Sequence, residues 1–213
     1  DEDNNRWERQ FYWASGVPFV DLMEEGSGAW TAEGLWHLVD EYTSPYPRSY
    51  SWSHSWWYGQ DATGDYDTGA RNSGSLISPT LYIPSSGYYL RFWYWYDTET
   101  QSQSYDQRWV QISVNGGAFT NVLQLYDDPW YVWLHSQYID LSAYAGDTIQ
   151  VRFFFDSIDG SYNDYRGWYI DDVSITTDPP PSCSDANEPN DSSSQATPIG
   201  YGQVKPGDIC PNG

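Results

Sequence analysis

The sequence predicts an all-β sandwich, and three observations lead there. The chain carries 13 Trp, 20 Tyr and 7 Phe in 213 residues, with abundant Thr and Ser and little Leu or Ala. That is the composition of strands, because β-branched and aromatic side chains fit a pleated sheet better than a helix. Short segments alternate between two faces with a period of two, and turn residues separate them at regular spacing. No ten-residue stretch shows a 3.6-residue period, so about nine or ten short strands and almost no helix are expected.

The elements follow in order along the chain. Residues 1–16 are polar with interleaved Trp7, Phe11, Tyr12 and Trp13, and read as an arm or a leading strand. Short strands are expected over 19–23, 34–39 and 55–59. Residues 88–97 alternate with Leu90, Phe92, Tyr94 and Tyr96 on one face and Tyr89, Arg91, Trp93 and Trp95 on the other. Both faces are aromatic, so this strand is either covered on both sides or exposes one face for binding. Residues 108–115 put Val110, Ile112 and Val114 inward and Gln111 and Ser113 outward, and Asn115-Gly116-Gly117 then makes a tight hairpin turn. Residues 148–155 point Val151, Phe153 and Phe155 one way and Gln150 and Arg152 the other.

The last strand, 167–176, changes phase. Trp168 and Ile170 occupy even positions, whereas Val173 and Ile175 occupy odd ones. One face cannot bury both pairs unless the strand gains a residue, so a β-bulge is expected at Asp171-Asp172. Beyond it, Asp178-Pro179-Pro180-Pro181 makes 178–182 an extended linker. Residues 183–213 hold few apolar groups, mainly Ile199, Tyr201, Val204 and Ile209. Burying those returns roughly 6–12 kcal/mol, against on the order of 30 kcal/mol to order the segment. It is expected to stay mobile unless it packs on the sandwich or a neighbour. Cys183 and Cys210 lie in this segment and read as a disulfide of an oxidising compartment, two free thiols being the cytosolic alternative.

A formal net charge of −21 argues against nucleic acid and anionic membranes as partners and favours cations such as calcium. No run of 18 apolar residues is present to span a membrane, and the polar start at Asp1 reads as a processed or excised terminus. His37, His54 and His135 form no HExxH pair, and no nucleophile elbow or phosphate-binding glycine loop occurs. The chain is read as non-catalytic.

Four motifs appear in order. They are Met23-Glu24 with Gly28-Ala29-Trp30, Gly34-Leu35-Trp36-His37, the run from Tyr66-Asp67-Thr68-Gly69 through Arg71-Asn72-Ser73-Gly74, and Gly167-Trp168-Tyr169-Ile170-Asp171-Asp172-Val173. Together they resemble the MAM-like jelly-roll domains appended to secreted bacterial peptidases of the immune-inhibitor-A type, over about 17–177. Asn187-Glu188-Pro189-Asn190-Asp191, Ala196-Thr197-Pro198-Ile199 and Gly207-Asp208-Ile209-Cys210-Pro211 resemble the opening of a bacterial pre-peptidase C-terminal domain, cut short at 213. The resemblance implies a jelly-roll β-sandwich followed by a short irregular disulfide-bonded segment, secreted beside a catalytic domain and without catalytic residues of its own.

Two constellations remain. The acidic one comprises Glu24, Asp65, Asp67, Asp171 and Asp172. In jelly-roll modules the first and last strands lie side by side, which would bring Glu24 to the bulge, and such carboxylates with loop carbonyls suit a structural calcium ion. The competing view is that these acids cap turns or face water. The aromatic constellation comprises Trp52, Trp56 and Trp57 with Tyr58, and Trp93 with Trp95; Trp130, Tyr131 and Trp133 form a further cluster. Exposed Trp and Tyr faces stack on sugars, whereas core packing would account for most of them without any ligand. The function expected is a calcium-stabilised module holding a larger secreted protein to a glycan or cell-surface polymer. The alternative is a subunit of an extracellular fibre or layer, with copies paired edge to edge.

Overall fold

The computed structural model describes residues 19–177. The expected arm, linker and disulfide-bonded segment, with Cys183 and Cys210, lie outside the described residues.

The described residues form an all-β sandwich of two antiparallel sheets, consistent with a jelly roll, with one short 3-10 turn at Ser142–Tyr144. The first sheet contains β1 (Phe19–Asp21), β3 (Trp36–Asp40), β4 (His54–Tyr58), β7 (Tyr89–Asp97), β10 (Leu134–His135), β11 (Ile139–Asp140) and β13 (Gly167–Thr176). The second contains β2 (Thr31–Ala32), β5 (Ser73–Ile77), β6 (Leu81–Tyr82), β8 (Gln107–Val114), β9 (Thr120–Leu125) and β12 (Thr148–Asp156). Strand order is β10–β7–β13–β4–β3 in the first and β2–β5–β12–β8–β9 in the second. The strands beyond the nine or ten expected are two-residue bridges such as β2, β6, β10 and β11, which are too short to leave a periodic signature.

The core lies between the sheets. Leu90, Phe92, Tyr94 and Tyr96 of β7 and Trp168 and Ile170 of β13 meet Val110, Ile112, Val151, Phe153 and Phe155 of the opposite sheet. Phe153 packs edge-on against both Phe92 and Trp168, at 4.8 and 6.0 Å between ring centres. The expected division of β7 into two faces is therefore observed. The β8–β9 hairpin turns where expected, with Asn115 and Gly116 at φ 49° and 73° and the Gly117 N–H donating to the Val114 carbonyl. Two successive positive φ values are what a type I′ turn requires, which is why Asn-Gly serves there.

The bulge also lies where the phase change placed it. Asp171 pairs with Trp93 and Ser174 with Arg91, so β13 advances three residues while β7 advances two. Asp172 has a φ of 47°, and Val173 and Ile175 return to the core. At this point β13 also changes neighbours. β4 pairs with it at Trp168, Tyr169 and Ile170, and β1 takes over at Val173, Ser174 and Ile175. First and last strands thus lie side by side.

Candidate binding face

The outer face of the first sheet carries two rows of side chains. In the first row Tyr169 is in register with Trp57 on one side and Trp95 on the other. Its ring lies parallel to Trp57 and edge-on to Trp95, each 5.5 Å away between centres. All three are buried. The cover is the loop between β3 and β4, residues 41–53, which crosses the sheet like a strap. Tyr46 packs on Trp57 while its carbonyl accepts the Tyr169 hydroxyl. Arg48 sets its guanidinium 3.8 Å over Trp95. Burial lowers the pKa of Arg48 and raises that of Tyr169.

In the second row Trp93 stands between Asp171 on β13 and His135 on β10. Its ring is stacked with Tyr50 of the strap at 3.6 Å and with His135 at 4.5 Å. Trp133 meets Tyr50 edge-on. Desolvation, with Arg91 adding to it, lowers the pKa of His135 to about 4, so its ring is neutral at pH 7. Here the surface is open: Tyr50 is 43% and Trp52 69% exposed.

Three carboxylates fasten this end of the strap. Asp171 accepts the N–H groups of Tyr50 and Ser51 on Oδ2, at 2.7 and 3.2 Å, and that of Asp172 on Oδ1. Asp172 accepts the Ser51 hydroxyl at 2.7 Å. Glu24, in the loop after β1, accepts the N–H groups of Ser53 and His54 on Oε1. Its Oε2 meets the Ser53 hydroxyl and His54 Nδ1. Burial and the neighbouring Asp172 push the Asp171 carboxyl upward, and the N–H donors partly offset this. Burial likewise raises Asp172, with Glu24 and Asp21 adding repulsion.

These contacts bear directly on the calcium expectation. Calcium takes six to eight oxygens. A carboxylate offers about four lone-pair sites, and Glu24 accepts from three donor groups and meets the His54 ring nitrogen, while Asp171 accepts from three. As placed, Asp171 Oδ2, one Asp172 oxygen and both Glu24 oxygens face donors of the strap and the start of β4. Asp65 and Asp67 lie elsewhere, past the far end of β4, roughly 15 Å along the strand at about 3.3 Å per residue. Asp65 accepts the Thr63 hydroxyl and the Asp67 N–H, and Asp67 accepts the Gly69 N–H, so both cap turns. The five acids do not come together. Among the described residues no group of three or more His, Cys, Asp or Glu side chains has the arrangement of a metal site.

The aromatic expectation also divides. Trp56 is buried in the core between the sheets, and Trp57 and Trp95 are buried beneath the strap, so none of these three presents a face to a ligand. Trp52 and Trp93 keep accessible surface. Tyr50 and His135 were not among the expected ligand-binding residues. The available signal for Tyr50 was the alternation of Tyr46, Arg48 and Tyr50, which places every second residue of the strap on the sheet.

No family model matches the chain. It shares weak homology with Bacillopeptidase F of Bacillus subtilis (strain 168), at 31% identity over 158 residues, or 72% of the chain. The chain spans 10% of that protein's length. Among solved structures it resembles the K1 cleaved adhesin domain of Lys-gingipain from Porphyromonas gingivalis W83, with a TM-score of 0.52 and 17% identity over 77% of the chain and 100% of that domain. Another neighbour is TmCBM61 in complex with β-1,4-galactotriose, with a TM-score of 0.49 and 15% identity over 73% of the chain and 94% of that module. At these identities the structural likeness is one of fold.

Proposed function

We propose that the sandwich is an extracellular, non-catalytic binding module that holds a longer protein to a neutral glycan or polysaccharide through the outer face of its first sheet. The observation that carries this reading is the open second row, in which stacked Tyr50, Trp93 and His135 stand beside a 69% exposed Trp52. Sugar rings present apolar C–H faces that stack on such side chains, and nearby polar groups fix their orientation. The net charge of −21 disfavours sulfated and uronic polymers and leaves neutral ones as the better partners. Homology to a tenth of Bacillopeptidase F supports a place within a longer protein.

The test is retention of the 213-residue chain on a panel of insoluble neutral polysaccharides, with Trp52→Ala alongside. Retention on at least one polymer is expected, with roughly tenfold weaker binding for Trp52→Ala, in line with the loss of one anchoring aromatic. Failure on every polymer, or equal retention of the variant, would remove the reading.

A further inference from the structure

We infer that Glu24, Asp171 and Asp172 are positioning residues of the binding face: they clamp residues 50–54, the end of the strap and the first residue of β4, so that Tyr50 seats on Trp93 and Trp52 is presented to a ligand. The inference rests on the glycan-binding reading for its affinity arm and on the hydrogen bonds alone for its structural arm.

Seven contacts join the three carboxylates to this five-residue segment. They engage the backbone N–H groups of residues 50, 51, 53 and 54, which flank Trp52 on both sides. Trp52 itself has a φ of 52°, a left-handed conformation that a bulky residue keeps only where its surroundings over-determine it. The Ser49 hydroxyl donates to the Trp52 carbonyl and tightens the same turn.

The register explains why these particular acids can do this. Asp171 is the cross-strand neighbour of Trp93. A carboxylate at that position that takes the Tyr50 N–H brings the Tyr50 ring down beside it, onto the indole. In a regular strand Asp172 would face the core. The bulge, with its positive φ at Asp172, turns that carboxylate to the same side as Asp171, where it receives the Ser51 hydroxyl. Glu24 arrives in the gap where β13 exchanges β4 for β1 and holds the strap where it enters β4. Burying acidic groups is unfavourable unless donors meet them. Here the donors come from the element that carries the exposed aromatics.

The experiment uses hydrogen–deuterium exchange on the full chain, comparing strap amides 50–54 with core amides of β8 and β12, for wild type, Asp171→Asn, Glu24→Gln and Ser51→Ala. Ser51→Ala breaks the clamp from the strap side and leaves every carboxylate in place. Strap amides are expected to exchange at least tenfold faster in the two carboxylate variants and severalfold faster in Ser51→Ala, with core amides unchanged. On a polysaccharide that retains the wild type, the carboxylate variants should bind roughly tenfold more weakly while remaining folded at the assay temperature. Unchanged strap exchange in both carboxylate variants overturns the clamp. So does calcium that protects the strap of the wild type and is removed by chelator, because the acids would then be ligands. If wild type is retained on no polysaccharide, the glycan reading falls, and the exchange result still decides the clamp.

Discussion

The two rows on the outer face of the first sheet use the same strands, the same covering loop and similar side chains, yet one is a core and the other a surface. Over Trp57, Tyr169 and Trp95 the strap lays down Tyr46 and Arg48, and the Trp57 indole N–H reaches the Arg166 carbonyl. Over Trp93 it lays down only Tyr50, and the load passes to the carboxylates at its edge. An aromatic row on a sheet is therefore neither packing nor a binding surface in itself. What lies over it decides.

The comparison breaks most directly at its two tryptophans. Trp57→Ala should cost about 3–5 kcal/mol, the usual range for emptying a large buried aromatic site. Trp52→Ala should cost well below that, about 1 kcal/mol or less, because the side chain is mostly exposed. Urea unfolding of both variants checks this, and similar costs for the two would mean that the rows do not differ as described. Arg48→Ala should cost about 2 kcal/mol, the scale of a desolvated cation–π contact. It should leave polysaccharide retention nearly intact, because Arg48 lies over the closed row.

A further expected effect concerns pH. The folded pKa of His135 is about 4, below the value of about 6.5 in an unfolded chain. The unfolded chain takes up the proton first, so the stability linked to this residue is present above pH 6.5 and is lost as pH falls toward 4. His135→Asn should therefore lose less thermal stability than wild type between pH 7 and pH 4. Parallel midpoints across that range would show that burial and Arg91 do not hold the ring neutral.

Much of the sandwich was legible from local pattern. The alternation through β7, the Asn115-Gly116 turn and the parity change before Val173 each depend on a few consecutive residues, and each appears in the structure. The face itself was harder to read. Trp56 and Trp57 point to opposite sides and both are buried, so adjacent tryptophans gave no sign of which faced solvent. The strap has Pro45 and Pro47 and forms no strand. Its partners are side chains on the sheet, which no local period reveals. The acids are hard to read for a related reason: a carboxylate that accepts backbone N–H groups and one that ligates calcium look alike in sequence, and the donors around Asp65, Asp67, Glu24 and Asp171 are visible only in the fold.

Because β13 gains one residue on β7 between Asp171 and Ser174, its inward positions are even before that point and odd after it. Substitutions there adjust the grip on the strap by degrees. Loss of a single codon is a different event. With one residue fewer the strand runs in one phase, and either Trp168 and Ile170 or Val173 and Ile175 must turn out of the core. Genetically, then, this stretch should accept a range of spellings at fixed length and no change of length, and one in-frame deletion should do more harm than replacing both aspartates.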